Sequence, residues 1–526
     1  MSINLYELTN PGDTTLNNSL SLENMDNNFI FLKQKDIIDI ISTSTTLSLT
    51  TEDNVSYSAN VINIATLTGY TNVDIEHTIF VSTKGNDGTA SVYNISKPYK
   101  TLSAAHTNAI VGDTIYIWGG DYTTSSSFTK DGVRVISNGN VNILYTGVSY
   151  LFNYSNIIYD IVIDTNISMT STTGGFFRLD MPYNSGISGD TYANIYIKFS
   201  KIRCDSLSIY MLGHLRPASG IRPEIEFGDV SIIGDVYSKN SYALYFNLQR
   251  SWVSCIGNYS SSGTTDTIYS NFNYGSITLR GNAINYTNNY HGMSITNQGY
   301  PAKIYGTIKN IKIIDYRNIS TTVFGNLIGD NNIIAGESPF ILYGDVIGKI
   351  FINSTITSIF GKVNLNNLFI TSTTSKVKIY GDIYPSNSNN INMLLSAGTL
   401  ILDYDIICDN STAFNINVSG GTLYINGALV SDSDITNTPL ISLNSSQSVV
   451  KIKGSVINRG SGPAINVSDG KLILNKGVVT STGSVSMSAT TPGTNYYVYS
   501  GFANKDVSNL INILTGTTLQ VDSNIE

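Results

Sequence analysis

Tyr305-Gly306-Thr307-Ile308, Phe324-Gly325-Asn326-Leu327, Tyr343-Gly344-Asp345-Val346, Phe360-Gly361-Lys362-Val363 and Tyr380-Gly381-Asp382-Ile383 are five copies of one pattern. An aromatic residue, a glycine, a polar residue and an aliphatic residue recur in that order. Arg280-Gly281-Asn282-Ala283 begins the series with arginine at the aromatic position. From Gly281 the glycine steps are 25, 19, 19, 17 and 20 residues. Later echoes stand at Asn426-Gly427, Lys453-Gly454 and Lys476-Gly477. Self-similarity at about 20 residues is the mark of a solenoid, and this period fits one coil of a parallel β-helix. A glycine at a fixed place in each coil predicts a corner with φ > 0.

The segments between the glycines alternate. In Lys376-Val377-Lys378-Ile379, Val377 and Ile379 are expected inside and both lysines in solvent. Lys349-Ile350-Phe351-Ile352-Asn353 puts Ile350 and Ile352 inside by the same period. About 400 residues of this kind make roughly 16–20 coils.

Composition agrees. Charged residues are 13% of the 526, against about 25% in ordinary soluble domains. Hydrophobic residues are 41%, so the chain is not a disordered polyelectrolyte. Its polarity comes from Ser, Thr, Asn and 34 Tyr; Thr and Tyr favour strands. The net charge of −8, with no Lys/Arg stripe, argues against nucleic acid. Cys204, Cys255 and Cys408 are odd in number and far apart, and read as buried small hydrophobes. No apolar run is long enough for a transmembrane helix, and Met1–Asp13 has no secretory pattern. An uncharged polar surface without a secretory pattern is expected of a virion component assembled in the host cytoplasm.

The chain divides by pattern. Residues 1–41 read as an arm and a helix that begins near Ser21. Leu22, Met25, Phe29 and Leu32 share one helical face. Ile37, Ile38, Ile40 and Ile41 extend that face in a shifted register. This face is expected to meet other copies of itself. Residues 42–76 are Ser/Thr/Asn-rich and read as a linker. Residues 77–122 open the solenoid, 123–490 form its coils, and 491–526 break the repeat and are expected to cap the far end.

The opening segment carries a resemblance. Ile79-Phe80-Val81 precedes Gly85-Asn86-Asp87-Gly88. Lys97-Pro98-Tyr99-Lys100-Thr101-Leu102 then leads into a short helix near Ala104–Ala109. Gly112-Asp113-Thr114-Ile115-Tyr116-Ile117 and Gly119-Gly120-Asp121-Tyr122 follow. Over about 45 residues this resembles the start of the pectate-lyase-like right-handed parallel β-helix superfamily, where such a helix covers the open end of the stack. The resemblance implies an all-β, right-handed parallel β-helix with end caps, and it leaves activity open. Leu22-Glu23-Asn24-Met25-Asp26-Asn27-Asn28-Phe29 resembles short segments near the start of bacteriophage appendage proteins. The whole plan is similar to a phage tailspike or tail fibre. That likeness implies a homotrimer, attached to other virion proteins through residues 1–41 and meeting host-surface polysaccharide along the solenoid.

Chemistry is harder to read. No HExxH, GxSxG, P-loop or CxxC motif is present. No Asp cluster predicts Ca²⁺, and neither a metal nor a cofactor is expected. His77, His106, His214 and His291 are not at metal-ligand spacing. Glycoside cleavage needs two carboxylates about 5–9 Å apart. Glu224, Glu226 and Asp229 form the densest acidic cluster. On a strand, Glu224 and Glu226 would share an outward face about 7 Å apart. A solvated coil face explains the same residues. Residues 150–300 are rich in aromatics, and Tyr245, Trp252, Tyr286 and Tyr290 are the candidates for sugar stacking, against ordinary packing. A polysaccharide-binding virion protein is favoured over a polysaccharide-cleaving hydrolase or lyase, because no sharp catalytic constellation appears. A bacterial adhesin is the third reading.

Overall fold

The structure is a computed structural model. It describes the strands Ile37–Ser42, Thr46–Thr51 and Ser56–Asn60. From residue 75 to 474 it describes all but internal stretches, the longest being 182–193 and 215–227. Beyond Leu474 it describes five further strands, Val479–Ser481, Met487–Ala489, Asn495–Val498, Ile511–Ile513 and Thr518–Val521. The chain separates into two units, residues 1–76 and 77–526.

In the first unit the three strands form an antiparallel sheet in chain order. This corrects two expectations. Ile37–Ile41 belong to a strand and do not continue a helix, as a β-branched run prefers. The expected linker, 42–76, contains two strands: Thr46-Leu47-Ser48-Leu49-Thr50 alternates, and so does Ser56-Tyr57-Ser58-Ala59-Asn60. Leu22, Met25, Phe29 and Leu32 lie outside the described residues.

The second unit is a parallel β-helix. One coil runs through Ser276–Arg280, Ala283–Asn285 and Met293–Thr296. Each segment pairs in parallel with its equivalent in the next coil: Ala302–Ile304, Ile308–Lys309 and Ile311–Asp315. Ten strands, from Tyr150–Ser155 to Leu368–Ile370, make one face. The column that starts at Thr78–Val81 makes another, and it continues to Thr518–Val521. Asn495–Val498 still pairs in register with Lys471–Leu474. Among the described residues the coils therefore continue through the stretch expected to break the repeat.

Inward side chains fill the stack. Ile350, Ile352 and Val377 are fully buried and Ile379 nearly so, each worth roughly 1.5–3 kcal/mol. Lys376 is exposed, and Lys378 turns outward to Asp403 at 2.7 Å. Phe128, Phe152, Phe176 and Phe199 follow one another through the interior, tilted or edge to face, at centroid spacings of 5.0, 5.3 and 5.0 Å. Cys204 and Cys255 are buried as free thiols.

The repeating glycines have a different cause from the one the sequence suggested. Gly281, which begins the series, has the expected positive φ of 139°, but Gly306, Gly325, Gly344, Gly361 and Gly381 are not among the residues with positive φ. A Cβ on any of them would overlap the carbonyl oxygen of the glycine one coil earlier. Coils lie so close at this corner that only hydrogen fits. Beside the glycines runs a polar ladder. Asp235 accepts the backbone N–H of Asn258 at 2.8 Å. Asn282 accepts that of Thr307 at 2.9 Å, and Asn326 that of Asp345 at 2.8 Å.

The opening end of the solenoid is tied by a short helix and the turn before it. The helix Leu102–Asn108 buries Leu102 and Ala105, and the Thr101 hydroxyl accepts the N–H of Ala104. Asp87, in the turn before it, accepts the N–H of Lys100 at 2.7 Å and the hydroxyl of Thr101 at 2.8 Å.

Candidate functional site

A groove of about 730 Å³ lies on the outer face of the long column. Five successive coils form it: Ile195–Cys204, Gly228–Ser238, Ser251–Ile256, Ser276–Arg280 and Ala302–Ile304. Parallel register stacks the outward side chains. Tyr196, Ser231, Ser254, Thr278 and Lys303 make one row across the coils. Asp229 faces Trp252 in the neighbouring row. The alternate residues Ile195, Val230 and Val253 are buried beneath, so the core fixes where the outward groups stand.

Trp252 is 37% exposed and packs against Tyr300, with ring centroids 4.8 Å apart and planes at 48°. Packing on one side holds the indole while leaving part of it open. Ser276 is buried and donates to the Pro301 carbonyl at 2.6 Å, which pins the chain entering the last coil. Arg280 places its guanidinium 5.6 Å from the centroid of Tyr305. This one aromatic neighbour restrains it without neutralising its charge. Lys303 and Asp229 are exposed. Asp229 donates its backbone N–H to Asn194 Oδ1 at 3.3 Å. It is the only carboxylate among the described lining residues.

Of the residues chosen from sequence, Asp229 and Trp252 are brought together here. Glu224 and Glu226 lie outside the described residues. Tyr245 stands on the ten-stranded face, between Tyr210 at 5.1 Å and Tyr269 at 4.9 Å. Tyr286 and Tyr290 sit in the turn between Ala283–Asn285 and Met293–Thr296. None of these three lines the groove. Phe176, Phe177 and Phe246, in the same aromatic-rich region, are wholly buried.

Sequence reading missed Tyr196, Arg280 and Lys303 as groove residues. Arg280 carried a signal: it occupies the aromatic position of the repeat, one coil before Tyr305. There it ends a ladder of rings, the exposed Tyr305, Phe324, Tyr343 and Phe360 and the half-buried Tyr380, at centroid spacings of 4.7, 5.2, 4.9 and 4.4 Å. These rings lie face on face, so each spends its faces on its neighbours. The ladder therefore offers edges, whereas sugar stacking needs an open ring face.

Elsewhere, Asp266 Oδ1 accepts the backbone N–H of His291 at 3.0 Å and meets its Nδ1 at 2.9 Å. His106 Nε2 accepts the backbone N–H groups of Thr129 and Lys130 at 3.0 and 3.2 Å. Both histidines brace turns.

Compared with protein-family models, curated proteins and solved structures, the chain matches none.

Proposed function

We propose that this chain is a bacteriophage appendage of the tail-fibre or tailspike kind, whose solenoid binds host-surface polysaccharide in the groove beside Trp252. The observation that carries this reading is the groove itself. It is concave, it crosses five coils, and it sets a part-open indole among hydroxyls and charged groups. Apolar ring faces with a few convergent polar groups are the usual make-up of a ligand site. A long stack suits a polymer, because it extends a contact surface along one axis.

The same reading assigns residues 1–41 to attachment to other virion proteins and to contact between three copies. It rests there on the resemblance of 22–29 to phage appendage proteins. The likeness of residues 78–122 to the pectate-lyase-like superfamily supports a carbohydrate-facing solenoid. Localisation in the virion belongs to this proposal.

A depolymerase is the second reading. It is favoured by Asp229, a carboxylate in the groove only a few residues after Glu224 and Glu226. Cleavage would require a second carboxylate about 5–9 Å from the first.

Both are tested by incubating the purified protein with capsule and lipopolysaccharide from candidate hosts. Retention without new reducing ends or unsaturated products supports binding. Products that vanish in Asp229→Asn support cleavage. Neither retention nor product across a broad panel overturns both.

A further inference from the structure

We infer that the groove selects acidic glycans, with Arg280 and Lys303 receiving the carboxylate or phosphate groups of the polymer. The inference rests on the polysaccharide-binding reading above and adds the chemical class of the ligand.

Ion pairs among the described residues hold four cations outside the groove and leave others, such as the exposed Lys201 and Lys376, without a carboxylate; what sets Arg280 and Lys303 apart is that both stand in one groove. Arg178 is paired with Asp180 at 2.9 Å, Lys198 with Asp164 at 3.0 Å, Lys378 with Asp403 at 2.7 Å and Lys239 with Asp205 at 3.5 Å. Arg280 and Lys303 have no carboxylate within ion-pair distance among the described residues. Both are exposed and both line the groove. In a chain of net charge −8, two unneutralised cations in one concavity are a local exception to the field around them.

Their placement is fixed by the coils. Lys303 is the register partner of Thr278, and Arg280 lies two residues beyond Thr278 on the same strand face. Strand rise and spacing put the two Cα atoms roughly 8 Å apart. One polymer lying across the coils can meet both. The guanidinium over Tyr305 is held in place, so little side-chain freedom is lost on binding. A guanidinium offers paired donors to a carboxylate or phosphate, and an ammonium adds a point charge. Asp229 stands with Trp252, away from the two cations along the strand register, which gives the groove a polarity. A neutral glycan would leave both cations unused.

Nucleic acid fits less well. Two cations on an acidic protein cannot neutralise the dense phosphate charge of DNA or RNA.

The test uses the full chain on an array of acidic and neutral bacterial surface glycans, with a carboxyl-reduced form of each uronate polymer and a single-stranded DNA oligonucleotide. Uronate polymers and phosphate-bearing teichoic acids separate the two sources of charge. The variants are Arg280→Gln, Lys303→Gln and Trp252→Ala; the first two alter exposed side chains and leave the stack intact. The expected result is retention of acidic glycans, loss of about tenfold or more with either cation variant, and weakening as salt rises. Retention of neutral or carboxyl-reduced glycans that is lost in Trp252→Ala but unchanged in the cation variants overturns the charge assignment and leaves the groove. DNA bound as tightly as glycan also overturns it. No glycan retained by the wild type overturns the polysaccharide reading itself.

Discussion

Gly344 lies directly against the carbonyl oxygen of Gly325 in the coil before it, leaving no room for a Cβ. The same relation joins Gly361 to Gly344 and Gly325 to Gly306. The corner is thus a column of glycines in contact. Gly344→Val should push two coils apart and cost about 2–3 kcal/mol, the upper part of the range for overpacked sites. Gly344→Ala should also destabilise, since the first carbon already clashes. Denaturant midpoints check this; an alanine variant as stable as wild type would mean the coils are free to move apart here.

Phe324 is 44% exposed, yet it is stacked between Tyr305 and Tyr343 with planes only 4° from each. Most exposed substitutions change stability by less than about 0.5 kcal/mol. Phe324→Ala removes two ring contacts and should cost about 1–2 kcal/mol. Phe324→Tyr keeps the stack and should be neutral. Thermal melts of the two variants separate a stabilising ladder from a merely exposed side chain.

Asn282 bonds in both directions along the stack. Its Nδ2 donates to Asn258 Oδ1 at 3.0 Å, and its Oδ1 accepts from the Thr307 N–H at 2.9 Å. Asn282→Ala leaves a backbone donor without its partner and should cost about 1–2 kcal/mol. Asn282→Asp keeps the acceptor and loses the donor, so it should fall between the two. Equal stability of all three proteins would show that water replaces the ladder.

His106 gives the opening end a pH dependence. Burial, reinforced by the charge of Lys130, pushes its imidazole down to about 4 from 6.5. The neutral ring accepts from Thr129 and Lys130. Below pH 6.5 the unfolded chain binds this proton while the folded chain does not. Stability therefore falls as pH drops from about 6.5 to about 4 and is flat below, a loss on the order of 1–2 kcal/mol once solvent screens the partly exposed ring. Unfolding measured across pH 4–7 should show this slope in wild type, and a smaller one in His106→Gln. Identical slopes would place the pH dependence in other groups.

The solenoid was legible because its period repeats in the chain itself. Gly306, Gly325, Gly344, Gly361 and Gly381 mark the coils without reference to anything distant. Why they are glycine was not legible: contact between coils is a property of the stack, whereas φ is the local property that sequence suggests first. The strands at 46–51 and 56–60 were hidden because Ser and Thr serve loops and strands alike. The groove was half visible. Asp229 and Trp252 were singled out separately, but their meeting depends on a 23-residue register between parallel strands. Tyr245, Tyr286 and Tyr290 looked equivalent to Trp252 because composition does not say which side of a coil a residue faces. Arg280 and Lys303 acquire meaning only once neighbouring coils are aligned.

The chain has two tryptophans, and Trp118 stacks on Phe80 at 5.5 Å, away from the groove-lining residues. Trp118→Phe therefore leaves Trp252 as the sole reporter of the groove. Its fluorescence should be titrated with a host-surface polysaccharide that the protein retains, with acrylamide as quencher. The expected result is saturable protection of Trp252 from quenching, at the same polysaccharide concentrations that give retention. Retention with unchanged quenching would contradict the account, because the polymer would then be bound somewhere other than the groove.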